Sequence, residues 1–125
     1  MEFELLRVPP DRQQIRSYGP GWFDVSGVRH RGSILVTAER VVALEAETVE
    51  AVGEEALEPL VELGVDLLLL GTGERFAVPP ARLLAWLRER KIAFEPMTTP
   101  AACRTYNLLL TEERRVAALL LALPA

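Results

Sequence analysis

The chain of 125 residues carries 14 Lys and Arg against 18 Asp and Glu, a formal net charge of −4, and is 50% hydrophobic and 26% charged, the profile of one folded domain rather than a disordered or fibrous chain. The negative total excludes a sequence-independent nucleic-acid binder, because counterion release needs a basic face. One cysteine and one histidine exclude an internal disulfide and a His/Cys zinc set, so no metal or cofactor is expected and a reducing, cytoplasmic setting is the simpler expectation.

The chain opens with MEFELLRVPPDRQQ, which starts with acidic residues and has no continuous apolar run. Neither a secretory signal nor a transit peptide is expected, and the mature chain is expected to begin there. Residues 1–14, broken by Pro9 and Pro10, read as an arm or edge strand leading into a single domain over residues 1–125. Trp22 to Val25 and Val28 to Arg31 flank Ser26-Gly27, a two-residue connection suited to a tight β-hairpin. Ser33 to Thr37 is a third β-rich run, and Val41 to Leu44, after a polar turn, is a fourth. Eight glutamates and one arginine fall between Glu39 and Glu62, whereas Arg82 to Lys91 and the region of Arg104, Arg114 and Arg115 are basic. Solvated helix faces produce such segregation.

Leu57, Leu60 and Val61 follow helical spacing up to Gly64, with Pro59 marking the first turn of a short helix. Val65-Asp66-Leu67-Leu68-Leu69-Leu70 is nearly all apolar and stops at Gly71-Thr72-Gly73, the pattern of a strand covered on both faces and central in its sheet. Pro79-Pro80 opens an amphipathic helix with Leu83, Leu84 and Leu87 on one side. Ile92 to Met97 is expected as a second buried strand, parallel to the first through a βαβ unit. Thr98 or Thr99 caps a third helix running to about Leu110, and Val116 to Leu123 reads as a closing strand. That last run is far short of the roughly 20 residues needed to cross a bilayer, so no transmembrane segment is expected.

The Gly71-Thr72-Gly73 loop matches neither phosphate-binding pattern: the Gly-Lys-Ser/Thr ending of a Walker loop is absent, and Phe76 stands where a dinucleotide fingerprint needs a small residue. In open α/β sheets, however, ligands collect beyond the carboxyl ends of parallel strands, where both Gly71 to Gly73 and Met97 to Thr99 are expected. The third helix starts beside them, and its Cys103, Arg104, Tyr106 and Asn107 are spaced to share a side. Gly71, Thr72, Gly73, Cys103, Arg104, Tyr106 and Asn107 are therefore expected to line one surface hollow, open to a small polar or anionic ligand or a partner group.

Plainer readings stand beside this one. The glycines turn the chain sharply out of a strand, Cys103 is a small buried hydrophobe, Tyr106 is a core ring and Asn107 bridges backbone groups. His30, between Arg29 and Arg31, belongs to a solvated hairpin face. With no Ser-His-Asp order, no paired carboxylates and no metal set, the expectation is a non-enzymatic binding or assembly module with a protein partner. The alternative is a small-molecule enzyme or ligand-binding protein using Cys103 and Arg104.

Tyr18-Gly19-Pro20-Gly21, Ser33 to Thr37, Asp66 to Gly73, Glu95 to Met97 and above all Ala102-Cys103-Arg104-Thr105-Tyr106-Asn107 resemble the small MTH-type domain family of unknown function. The resemblance covers nearly the whole chain from about Ile15. The family includes bacterial and archaeal stand-alone proteins, a mammalian adipogenesis-associated protein and a mitochondrial assembly factor for respiratory complex I. The resemblance implies an α/β, three-layer domain with a mixed central sheet, no established enzymatic activity, and a role in assembling a membrane or respiratory complex. Thr98 departs from the family pattern, in which aspartate is frequent.

Overall fold

Every residue of Ser33–Thr37, Leu67–Gly71 and Val116–Leu120 is buried, and these apolar runs form the middle of a five-stranded sheet in the computed structural model, which describes residues 11–112 and 114–124. In chain order the strands are β1 (Ile15–Gly19), β2 (Trp22–Val25), β3 (Val28–Arg31), β4 (Ser33–Thr37), β5 (Val41–Leu44), β6 (Leu67–Gly71), β7 (Ala93–Met97) and β8 (Val116–Leu120). The helices are α1 (Glu58–Glu62), α2 (Ala81–Glu89) and α3 (Thr99–Leu110), and two 3-10 turns, Val49–Ala51 and Glu54–Leu57, precede α1.

The large sheet has the order β5-β4-β8-β6-β7. Strands β7, β6 and β8 run parallel, while β4 is antiparallel to both β8 and β5, so the sheet is mixed. Strands β1, β2 and β3 form a separate antiparallel sheet. Because side chains alternate across a strand, Leu67, Leu69, Ile34, Val36 and Ala118 pack under α3 and the small sheet. Their neighbours Leu68, Leu70, Leu35, Ala117 and Leu119 pack under α2, α1 and the 3-10 turns. The result is three layers with the large sheet in the middle.

The chain moves outward from β6 to β7 and then back past β6 to β8. A right-handed crossover in each direction puts the two helices on opposite faces, and α2 and α3 do lie in opposite core layers. This places the point where the connections diverge between β6 and β7, beside Gly71 and Met97.

The hairpin, the two β-rich runs, the three helices and the parallel β6–α2–β7 unit fall where the sequence pattern puts them. Ser26 and Gly27 have φ of 51° and 95°, the paired left-handed turn that suits a two-residue hairpin, and the Asp24 carboxylate accepts from the Gly27 N–H at 2.9 Å. Two expectations are corrected. Strand β7 is not a second buried strand but an edge, half exposed along its length, which is where Pro96, lacking a ladder donor, is tolerated. The run before Gly71 is not the central strand; the closing strand β8 takes that place between β4 and β6, and its complete burial follows. Of the expected N-terminal arm, residues 1–10 lie outside the described residues; Gln13 ties the start of the described chain to the end of β4, donating its N–H to Ala38 O at 3.0 Å.

Candidate functional site

The strand-end turn and the start of α3 are neighbours, joined by a dense set of bonds. Thr72 N–H donates to Met97 O at 2.8 Å and Thr99 N–H to Gly73 O at 2.8 Å. The Thr99 hydroxyl accepts from Gly73 N–H at 2.9 Å and donates to Leu121 O at 2.7 Å, so one buried side chain links the exits of β6 and β8. Gly71 is required by this closeness: a Cβ there would stand 3.1 Å from both Leu119 O and Thr99 Cα. Gly73, at φ +113°, occupies backbone space that other residues avoid.

These bonds close the crevice. The first-turn donors of α3 all have partners, since Thr99 N–H is spent on Gly73, Pro100 has none, Ala101 N–H reaches the Thr98 hydroxyl at 3.4 Å and Ala102 N–H reaches Thr98 O at 2.9 Å. An incoming anion therefore finds no free amide there.

The α3 residues divide by face. Cys103, Tyr106 and Asn107, with Leu110, form the inner stripe and are almost wholly buried. Asn107 brackets the start of β1, its Oδ1 accepting from Ile15 N–H at 3.0 Å and its Nδ2 donating to Ile15 O at 2.7 Å. Tyr106 donates its hydroxyl to Gln13 O at 2.7 Å. Both side chains hold the small sheet against the helix. Burial raises the Tyr106 pKa, Glu39 adding to the effect and Arg12 opposing it. Cys103 is sealed in the core, where burial pushes its thiol up to about 12 against the weaker pull of Arg104, which favours the inert thiol over the thiolate. Arg104 alone of this group is exposed, and its charge acts on the hydroxyl of Tyr18, whose pKa burial raises, Cys103 adds to and Arg104 lowers.

The seven residues singled out in the sequence are thus not gathered around one cavity. Gly71, Thr72 and Gly73 meet α3 at Thr99; Cys103, Tyr106 and Asn107 face inward; Arg104 faces solvent. Cavities among the described residues lie elsewhere: one of about 490 Å³ beside Gly32 and Leu44, one of about 330 Å³ under β3 and one of about 230 Å³ near Arg12, Arg114 and Arg115.

The turn instead builds a presented loop. The Thr72 hydroxyl lies 3.1 Å from Met97 O and 3.3 Å from Arg75 O and accepts from Ala77 N–H at 3.0 Å. Phe76, between the Arg75 and Ala77 anchors, is 56% exposed and Val78, just after them, 74% exposed, while Ala77 packs against the core. Sequence reasoning passed over both side chains, although two large apolar residues between a Gly-Thr-Gly turn and Pro79-Pro80 were a usable signal.

A model of the family described as protein of unknown function (DUF498/DUF598) matches residues 15–121. An uncharacterized protein of Rhodobacter capsulatus is 41% identical over 112 residues, covering 88% of this chain and 85% of the relative. The zebrafish NADH dehydrogenase [ubiquinone] 1 alpha subcomplex assembly factor 3 is 34% identical over 113 residues, covering 89% of this chain and 65% of that protein; the chain thus spans just under two thirds of the assembly factor. Among solved structures, one described as an outer membrane protein from Bartonella henselae superposes with a TM-score of 0.82 at 36% identity, covering 91% of this chain and 98% of that one. A Bordetella pertussis protein described as a Mth938-like domain shares the fold, with a TM-score of 0.78 at 24% identity over 98% of this chain and 92% of that chain. No helix among the described residues is long and apolar enough to cross a membrane.

Proposed function

The chain belongs to the DUF498/DUF598 family, and from that premise we propose that it is a non-enzymatic binding module of the cytoplasm that helps assemble a membrane-bound respiratory complex. The observation that carries the reading is the loop of Phe76 and Val78. Exposed apolar side chains on a mobile loop would be unremarkable, but here a buried threonine fixes the backbone on both sides of Phe76, and Val78 directly follows the second anchor. Holding such groups rigidly in water lowers the ordering cost of docking, which is how an anchor for a partner is built. Gly71, Thr72 and Gly73 serve this surface as its scaffold, and Arg104 on the exposed face of α3 supplies a charge to orient the partner.

The name of the zebrafish relative supports an assembly role at the level of the family. The rival reading, catalysis through Cys103 and Arg104, is disfavoured because the thiol is sealed and protonated and because Tyr106 and Asn107 are committed to backbone groups.

Crosslinking in cells of the source organism, followed by purification of the tagged chain, tests the proposal. The expected product is a crosslink from the 74–80 loop to a subunit of the NADH dehydrogenase complex. Absence of any such subunit, together with unchanged complex levels in a strain lacking the chain, would overturn it.

A further inference from the structure

A second surface is offered by the outer edge of the small sheet. Strand β3 pairs with β2 on one side only, and among the described residues no strand covers the other. Gly32 N–H donates to Gly21 O at 2.8 Å, and β2 and β3 continue from there in register with Trp22 opposite Arg31 and Phe23 opposite His30. In an antiparallel ladder bonded and non-bonded pairs alternate, so the N–H and C=O of Arg29 and Arg31 point away from β2, toward the open edge. Arg29 and Arg31 are exposed, and Val28 is 59% exposed.

The two faces beside this edge differ. On the outer face Arg29 stacks over the Trp22 ring at 3.8 Å from its centroid, Arg31 lies alongside, and Asp24 is the acidic residue among them. On the inner face Val28 and His30 look into the cavity of about 330 Å³, whose other walls are Gln13, Val25, Ser26 and Val41. The edge is also closed to a second copy of itself, because antiparallel pairing of two β3 strands would set Arg29 and Arg31 against the same two arginines.

We propose that the free edge of β3 takes an extended segment of a partner protein as a fourth strand, a segment that alternates acidic residues with small apolar ones. The backbone of Arg29 and Arg31 supplies the pairing groups. The acidic side chains of the segment meet the two guanidinium groups on the outer face, and the apolar ones enter the cavity beside Val28 and Val41. Pairing gives affinity and the alternating surroundings give selectivity. This surface is independent of the Phe76 and Val78 loop, so either can fail without the other.

The test uses the full chain and a short synthetic peptide alternating glutamate and valine, with three controls: a lysine–valine peptide, a glutamate–valine peptide N-methylated at alternate residues, and phosphatidylglycerol vesicles. Saturable binding of the first peptide is expected, weakening with salt, with amide exchange at Arg29 and Arg31 slowed by about tenfold or more as those groups become paired. The exposed double variant Arg29→Glu with Arg31→Glu should fold normally, lose the acidic peptide and gain the lysine one. Equal binding of the N-methylated peptide, indifference to the double variant, or binding of vesicles without protection of those amides would each overturn the proposal, the last pointing to a membrane surface instead.

Discussion

Asn107 and Cys103 show what the buried stripe of α3 does. Asn107 satisfies both backbone groups of Ile15 from a site that water does not reach. Replacement by alanine leaves a buried N–H and C=O without partners, and a loss of about 2–4 kcal/mol is expected in chemical denaturation. A change below about 0.5 kcal/mol would mean that β1 is held by other contacts. Cys103 makes a pH-dependent prediction. Burial in the folded chain pushes its thiol from 9.0 up to about 12, so its contribution is intact at neutral pH and is lost as the pH rises through that window. The slope is roughly 1.4 kcal/mol per unit while only the unfolded thiol ionises. Tyr106, also raised by burial, acts in the same direction at higher pH. Denaturation midpoints measured from pH 7 upward should therefore fall on the alkaline side, and Cys103→Ala should flatten the first part of that fall. An alkaline limb unchanged by Cys103→Ala would show the thiol to be accessible.

At the scale of elements, the meeting of β6, β7, β8 and α3 depends on Thr99. Its hydroxyl accepts from Gly73 and donates to Leu121, so Thr99→Val, which keeps the shape, strands both groups. A destabilisation of about 2–3 kcal/mol is expected, with faster amide exchange at Gly73, whose N–H loses its acceptor. Unaltered exchange at that amide would place the closure of the crevice elsewhere. Much of this arrangement was legible in the sequence, because the all-apolar run before Gly71 and the threonines before α3 are local signals. The closure itself was not legible. It depends on the Gly71 backbone and the start of α3 approaching across 28 residues of sequence, a distance at which pattern carries no geometry. The spacing of Cys103, Arg104, Tyr106 and Asn107 was read as one polar side, but Cys103, Tyr106 and Asn107 lie on the core face that the apolar Leu110 continues, while Arg104 faces solvent.

For the molecule as a whole, the layers are determined by a β8 strand whose place the sequence did not reveal. Val116 to Leu120 is as apolar as β6, yet which of the two is central depends on long-range pairing with β4, 80 to 86 residues earlier in the chain. Once β8 is in the middle, β7 is left at the margin, the exits of the parallel strands converge on Thr99, and the loop after Gly73 is thrust outward with Phe76 and Val78 exposed. The proposed function accordingly rests on surfaces rather than on a chemical centre. The chain's lone thiol is inside, its lone histidine sits at the rim of an edge-strand groove, and its apolar display stands on a fixed loop.

The most direct measurement of that claim replaces the chromosomal copy with Cys103→Ala and, separately, with Phe76→Ser plus Val78→Ser, and quantifies the assembled NADH dehydrogenase complex by native gel electrophoresis at equal amounts of the chain. A binding module predicts normal assembly with Cys103→Ala and a clear loss with the loop variant. Normal assembly with the loop variant, or loss with Cys103→Ala, would contradict it.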